Sequence, residues 1–398
     1  MKKELLKKII PRFLLNWYHL GMAFLSAVLY GFPSRGMTII GVTGTKGKST
    51  AVTFCHKIFQ DAGFKVASLS SICFKINNSE WPNLLKMTMP GRFMIQNFLK
   101  QAKSAGCKYV ILEVTSEGIL QHRHRFISFN TAVFTNLSPE HIEHHGSFEN
   151  YRAAKGELFK ITKKNHVINI DDKNAEYFLQ FPAKKKYTFG FNQGDIKNSD
   201  IQLSLKLQGE FNVLNALSAT CVALIQGISL ENCKKSVESI EKLPGRMETV
   251  LKEPFKVIVD YAHTPDALEK VYQTLKWGSP RLICVLGSAG GGRDKWKRPK
   301  MGEIAAKYCD QIILTNEDPY DEDPMEIINQ VAGGIEGRFE RILDRKEAIN
   351  KAIKSAGDND TVIITGKGCE PWMCVKGGKK IPWDDRQIAI EAFEKNRL

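Results

Sequence analysis

The densest chemistry in the sequence is Gly44-Thr45-Lys46-Gly47-Lys48-Ser49-Thr50, set between the apolar run Met37–Val42 and an amphipathic stretch, Ser49–Ala62. Glycines at this spacing let backbone N–H groups close around phosphates, and the start of a helix adds its positive end. In such a loop Lys48 neutralises the β- and γ-phosphates and the Ser49 hydroxyl reaches Mg²⁺. The strict eight-residue loop wants glycine at position 42, where this chain has Val42. A ligand-free glycine turn is the plain alternative, and a poor one for Gly-Lys-Ser after an apolar strand.

Other reactive side chains follow the apolar runs. Glu113 ends Tyr109–Val114, and Thr131–Asn136 leads on to His141, His144 and His145. Glu113 and His141 suit a second Mg²⁺ or a Mn²⁺ near the phosphate loop. The histidines also fit a solvated cluster or, more weakly, zinc, since no acidic general base stands at the zincin spacing. Lys155 reads equally as a surface residue of its helix. Asp260 and Arg246 form either an ordinary ion pair or a grip on a nucleotide beside a hinge.

These groups need a frame. From Met37 to about Lys242, short apolar runs alternate with amphipathic stretches, the pattern of βαβ units and a mainly parallel sheet. In such sheets ligands collect at the carboxyl ends of strands. Leu243-Pro244-Gly245-Arg246 breaks the pattern as a hinge. New strands are expected at Phe255–Asp260, Arg281–Leu286, Gln311–Leu314 and Thr361–Ile364, with helices at Arg345–Ser355 and near Asp384–Lys395. The reading is an α/β chain in three parts: an apolar, basic helical extension over 1–36, a central phosphate-loop domain over 37–242, and a smaller Rossmann-like α/β domain over 243–398.

Bulk properties narrow the partners. The 57 Lys+Arg against 43 Asp+Glu give a net charge of +14, which favours anionic ligands. The basic residues are dispersed and no nucleic-acid module occurs, so polyphosphate metabolites explain the charge better than nucleic acid. Nine cysteines without a CxxC pair fit a reducing cytoplasm and small buried side chains. Lys2, Lys3, Lys7 and Lys8 precede an apolar stretch from Phe13 to Phe32 containing Trp17, Tyr18, Phe24 and Tyr30. That stretch reads either as a helix packed on the protein or as one lying on a membrane surface. A cytoplasmic monomer with possible membrane-surface contact is expected.

With Gly44–Thr50 in hand, the chain resembles the Mur ligase family over roughly residues 37–398. The resemblance continues in family order through Glu113-Val-Thr-Ser116, Thr135-Asn136-Leu137-Ser138 with Glu140-His141, Tyr151-Arg-Ala-Ala-Lys155 and Gly209-Glu-Phe-Asn212-Val-Leu-Asn215. It ends with Pro244-Gly245-Arg246-Met247-Glu248, Val259-Asp260-Tyr261-Ala262-His263-Thr264-Pro265, Gly292-Arg293-Asp294 with Lys297-Arg298-Pro299, and Gly366-Lys367-Gly368-Cys369-Glu370. Ordered motifs of this kind are far more specific than any one of them.

The resemblance implies an ATP-dependent, ADP-forming ligase with two Mg²⁺ ions. A substrate carboxylate attacks the γ-phosphate, and an amino acid's amine then displaces phosphate from the acyl phosphate. It implies catalytic roles for Lys48, Lys155, Glu113 and His141, and metal contact by Ser49, Glu113, His141 and a carbamylated Lys155. ATP would meet Gly44, Thr45, Lys46, Gly47, Lys48, Ser49, Thr50, Asn215, Arg246, Asp260 and His263. A muramoyl-peptide acceptor would meet Thr88, Thr115, Ser116 and Arg123, and the amino acid Arg293, Asp318, Tyr320, Gly366 and Glu370. Members that take UDP-muramoyl peptides start with a separate uridine-diphosphate domain, whereas here 36 residues precede the apolar run that leads into the phosphate loop.

Where members that take meso-diaminopimelate read DNPR, this chain has Glu317-Asp318-Pro319-Tyr320. Tyrosine lacks the cationic fork that grips a second carboxylate, and the loop is acidic through Asp321, Glu322 and Asp323. L-lysine or L-ornithine is therefore the expected substrate, unless these charges are merely solvated. Folylpolyglutamate synthetases, a lipid-linked Mur-like ligase with a four-cysteine zinc insertion, and a non-catalytic scaffold are the rivals.

Overall fold

The computed structural model describes residues 11–85 and 87–396; Lys2, Lys3, Lys7 and Lys8 lie outside them. The chain groups into two compact units, Met1–Leu137 with Ser147–Leu205 and Glu210–Ser239, and Ser138–Gly146 with Lys206–Gly209 and Ile240–Leu398. Two short segments of the earlier chain, Ser138–Gly146 and Lys206–Gly209, thus cluster with the later one.

In chain order the first part runs α1 (Arg12–Leu29), β1 (Thr38–Thr43), α2 (Lys48–Asp61), β2 (Val66–Leu69), β3 (Cys73–Ile76), β4 (Ser79–Pro82), α3 (Arg92–Ser104), β5 (Tyr109–Glu113), α4 (Ser116–Leu120) and β6 (Phe129–Phe134). It continues through α5 (Ile142–His145), α6 (Phe148–Ile161), β7 (Asn165–Asn169), α7 (Ala175–Leu179), β8 (Lys185–Gly190), β9 (Ile196–Lys197), α8 (Asn198–Ile201), α9 (Glu210–Ile225) and α10 (Leu230–Glu238). Among the described residues, nine strands form one sheet in the order β4-β3-β2-β5-β1-β6-β7-β8-β9. Only β4–β3 and β3–β2 pair antiparallel. The central strands are buried almost throughout, as a parallel sheet covered by helices on both faces requires. On one face Phe134 stacks on Phe178 at 3.9 Å between centroids, with Phe159 tilted onto Phe178 at 5.0 Å. Helix α9 is apolar nearly all round and packs against α2, the pattern of a helix covered on more than one side.

The second part runs β10 (Glu248–Leu251), β11 (Lys256–Asp260), α11 (Pro265–Lys276), β12 (Leu282–Leu286), α12 (Lys297–Tyr308), β13 (Gln311–Leu314), α13 (Pro324–Ala332), β14 (Glu340–Arg341), α14 (Arg345–Ser355), β15 (Thr361–Thr365), β16 (Trp372–Val375), β17 (Lys379–Pro382) and α15 (Asp385–Asn396). Six of its strands form a sheet in the order β10-β11-β15-β12-β13-β14, parallel except for β10–β11, while β16 and β17 make a separate hairpin. Helices α14 and α15 are joined by a fully buried pair in which Arg345 donates Nε and Nη2 to the two Asp385 oxygens at 2.9 and 2.7 Å. The two parallel bonds leave neither charge unmatched, the condition for burying an ion pair.

The α/β reading from the sequence is the observed fold class. Element ends move by a residue or two: the helix expected at Ser49–Ala62 is Lys48–Asp61, the run Thr131–Asn136 is the strand Phe129–Phe134, and the last helix starts at Asp385.

Candidate active site

Strands β2, β5, β1, β6 and β7 lie side by side, so the loops after them share one edge of the sheet. The glycine-rich loop leaves β1 and enters α2 through Gly47, whose φ of 80° is left-handed. A Cβ on Gly47 would stand 2.1 Å from Asn215 Oδ1 on α9, so only glycine fits both the turn and its neighbour. The residues after β6 hold the loop from the other side. Thr45 N–H donates to the Asn136 carbonyl at 2.9 Å, Lys46 N–H to Asn136 Oδ1 at 2.9 Å, and Thr135 Oγ1 donates to the Lys46 carbonyl at 2.7 Å.

At the mouth of this loop Ser49 Oγ donates to Glu113 Oε2 at 2.8 Å and lies 2.7 Å from Ser71 Oγ. Ser71 N–H also donates to Glu113 Oε2, at 2.9 Å. Lys48 Nζ stands 3.8 Å from Glu113 Oε1 and donates to the Thr45 carbonyl at 2.8 Å. Glu113 is only 2% exposed, and its charge is met by these groups rather than by water. One buried carboxylate beside a serine hydroxyl is the donor set of a hard divalent cation that takes its remaining ligands from phosphate and water.

Lys155 is 2% exposed, on α6, which overturns the surface reading of this residue. Its ammonium donates to the Gly44 carbonyl at 2.7 Å and sits 4.5 Å over the Tyr151 ring; Tyr151 Oη is 3.0 Å from Thr45 Oγ1. The loop therefore carries a lysine on its underside as well as Lys48.

The residues expected to meet the acceptor come together at the start of α3 and α4. Thr115 Oγ1 caps α4 by accepting from Gly118 N–H at 3.1 Å, and Ser116 is buried beside it. Arg123 donates to the Met89 carbonyl and to Gln121 Oε1, which brings it to the segment that carries half-buried Thr88.

A second cluster belongs to the later unit. Asp260 accepts from Met247 N–H at 2.7 Å and Ala262 N–H at 2.6 Å, so it fixes the loops after both Arg246 and Tyr261. The Arg246 guanidinium lies 4.5 Å over the Tyr261 ring, and Tyr261 donates to Glu370 Oε1 at 3.1 Å. The Glu370 carboxylate beside it pushes the Tyr261 hydroxyl well above its ordinary pKa, and burial adds to this. Lys367, 1% exposed, donates to Glu370 Oε2 at 2.6 Å and Asp318 Oδ1 at 2.9 Å, while Cys374 N–H donates to Asp318 at 2.7 Å. Tyr320 takes φ +53° and donates its N–H to the Cys374 carbonyl; a Cβ on Gly291 would touch its ring. Gly366, with φ +107°, lies against Glu317. Arg293 lies near enough for its charge to act on Tyr261.

His141 opens α5 with φ 58° and groups with this unit, as does Glu140, which is 3.3 Å from His263 Nε2. Asp294 accepts from the N–H groups of Ile142 and Glu143. Among the described residues no group of three or more His, Cys, Asp or Glu side chains is placed to hold a metal ion. The acidic loop is not simply solvated: Glu317 and Asp318 are buried, Glu322 pairs with Arg298 and Lys295, and Asp323 caps α13. Sequence reasoning gave Ser71, Tyr151 and Lys367 no role. Only the position of Ser71 just past a strand could have flagged it.

Two domain families match: the Mur ligase middle domain over residues 42–223 and the Mur ligase glutamate ligase domain over 245–368. A UDP-N-acetylmuramoyl-L-alanyl-D-glutamate–2,6-diaminopimelate ligase of Syntrophomonas wolfei is 37% identical, over 93% of this chain and 81% of that protein. The chain belongs to the Mur ligase family. A UDP-N-acetylmuramyl-tripeptide synthetase of Roseiflexus is 35% identical, over 94% and 81%. A solved diaminopimelate ligase structure superposes with a TM-score of 0.62 at 30% identity, over 92% of this chain and 80% of that one. Mur ligases are ATP-dependent, ADP-forming enzymes of peptidoglycan precursor synthesis, and the ligase reading follows from that membership.

Proposed function

We propose that this Mur ligase joins an amino acid to the carboxylate of an N-acetylmuramoyl peptide, and that ATP activates that carboxylate as an acyl phosphate. The observation that carries the reading is the phosphate loop with Ser49 2.8 Å from buried Glu113 and Lys155 beneath it. Backbone N–H groups and Lys48 take up the charge of the triphosphate, which is most of what phosphoryl transfer asks of a protein. Ser49 and Glu113 would hold Mg²⁺, with Lys155 as its carbamate the candidate ligand of a second ion; these ions would offset charge on the transferring phosphoryl group. Glu113 holds Ser49 and Ser71 in place, and Asn215 closes the loop at Gly47. The acceptor would meet Thr88, Thr115, Ser116 and Arg123, ATP would also meet Arg246, Asp260 and His263, and the amino acid Arg293, Asp318, Tyr320, Gly366 and Glu370.

For the amino acid, the relatives' names point to diaminopimelate, but Tyr320 offers no cationic fork to a distal carboxylate. Asp318 and Glu370 already share Lys367, and buried Glu317 beside Gly366 leaves Oε2 without a hydrogen-bond partner. We therefore favour a substrate with a side-chain amine, L-lysine or L-ornithine. We further propose a cytoplasmic monomer that touches the membrane surface through residues 1–36. Mass spectrometry of products from ATP, UDP-muramoyl dipeptide and equal L-lysine and meso-diaminopimelate tests the reading. The expected product carries lysine; a clear preference for diaminopimelate refutes the specificity, and no amino-acid adduct at all refutes the reaction.

A further inference from the structure

Helix α1 has two unlike faces. Ala23, Ser26 and Ala27 are buried, and their small side chains let the helix lie close along α3. Polar contacts fix its register: Asn16 Oδ1 meets His122 Nε2 at 2.5 Å, and His19 Nδ1 meets the Arg92 guanidinium. Phe24 packs edge-on against Phe126 at 5.3 Å. The other face carries Leu14, Trp17, Tyr18, Leu25, Val28 and Leu29 at helical spacing, all exposed, Trp17 by 69% and Leu29 by 65%. Six large apolar side chains on one unpartnered stripe exceed the scattered exposure normal for a protein surface.

The sequence around the stripe is mostly basic. Glu4 is the one acidic residue before Asp61, whereas Lys2, Lys3, Lys7 and Lys8 precede the helix, Arg12 opens it and Arg35 follows it. Exposed Lys100 and Lys103 on α3 point back to the same region, Lys100 5.9 Å from the Tyr30 ring and Lys103 donating to the Arg35 carbonyl. Two copies meeting through this face would bring like charges together, while an anionic surface would be attracted to all of them. The helix does not cross a bilayer: no described helix is long and apolar enough, and one side of α1 is spent on α3. Eighteen residues span about 27 Å, short of the ~30 Å hydrocarbon core. Apolar stripe, indole and phenol rings and a basic surround are the features of a helix lying in the headgroup layer.

We infer that α1 docks flat on an anionic lipid surface through Leu14, Trp17, Tyr18, Leu25, Val28 and Leu29, and holds the acceptor loop beside that surface. The coupling is direct, because Arg92, which meets His19, donates to the Gln121 carbonyl and His122 donates Nε2–H to Asn16 Oδ1, so α1 holds the Gln121-His122-Arg123 turn. The inference rests on the membrane-surface contact proposed above and names its face, its lipid and its link to the site.

The test is co-sedimentation of the full chain with phosphatidylcholine vesicles, with and without phosphatidylglycerol, at low and high salt. The companion variant is Trp17→Gln/Tyr18→Gln/Leu25→Gln/Leu29→Gln, whose positions are solvent-facing and outside the catalytic machinery. The parent should bind phosphatidylglycerol vesicles in a salt-sensitive way, and the variant should lose roughly tenfold or more of that binding. ADP release with a soluble acceptor should be unchanged in the variant, which shows that it folds. A parent that stays in the supernatant on every vesicle overturns the membrane contact itself. A variant that sediments like its parent leaves the contact standing and overturns this face. A parent that dimerises in light scattering, with the variant monomeric and neither binding vesicles, assigns the stripe to a second copy instead.

Discussion

Glu317 is 4% exposed, and its Oε2 lacks a hydrogen-bond partner. Burial pushes its carboxyl from 4.5 up to about 7, Asp318 pushes the same way, and Arg345, Lys367 and Lys297 pull it down. A carboxyl whose pKa rises on folding stabilises the fold while it holds its proton. That contribution is whole below about pH 4.5 and fades as pH climbs towards 7. The gap of 2.5 units between those two values is worth at most about 3.5 kcal/mol at ~1.4 kcal/mol per unit. Glu317→Gln keeps the volume and removes the titration. Urea unfolding followed by tryptophan fluorescence should show the parent losing about 1–3 kcal/mol relative to the variant between about pH 5 and pH 8. The amide's own buried groups add an offset, but a pH-independent one, so the change with pH is the readout. A parent–variant difference that is the same at both ends refutes the account of this carboxyl.

Lys48→Ala should lower ADP release by roughly 100-fold or more, as loss of one preorganised charge in an active site does, with the melting temperature little changed; turnover within a few-fold of the parent removes Lys48 from the phosphate site. Gly47→Ala places a methyl 2.1 Å from Asn215 Oδ1 at φ +80°, so calorimetry should show ADP affinity falling at least tenfold, and unaltered binding would mean the loop is not the nucleotide cradle. Lys155→Ala should be nearly inactive and partly restored by a short-chain carboxylic acid. Normal activity without the additive takes the carbamate out of the mechanism.

The phosphate loop was legible because everything it needs is local: an apolar strand, glycines for positive φ, and a helix that starts at the lysine. The strands that follow were legible for the same reason, as unbroken apolar runs such as Val110-Ile111-Leu112. Asn215 was recognisable only through the family's ordered motifs. Tyr151 and Lys367 stood in such motifs without a role and Ser71 stood in none, because their meaning lies in partners far along the chain: Ser71 with Glu113, Tyr151 with Thr45, Lys367 with Asp318. The same limit applies to the acidic loop around Glu317. Its composition reads as solvent-facing, and only the fold shows which carboxylates are buried and which cap a helix.

The short segment Ser138–Gly146 has a consequence for how this enzyme can be taken apart or recombined. It is threaded into the chain between β6 and α6, yet it docks on the later unit, where the buried Asp294 carboxylate takes its two N–H donors from Ile142 and Glu143 and Lys295 N–H finds Glu143 Oε1. A polypeptide beginning at Ile240 would strip that carboxylate of both N–H donors. The later half is thus not a cassette that recombination can exchange at one junction. A working chimaera must carry the nine-residue splint from the same parent as Asp294 and Lys295, and families assembled from such parts should inherit the two pieces together.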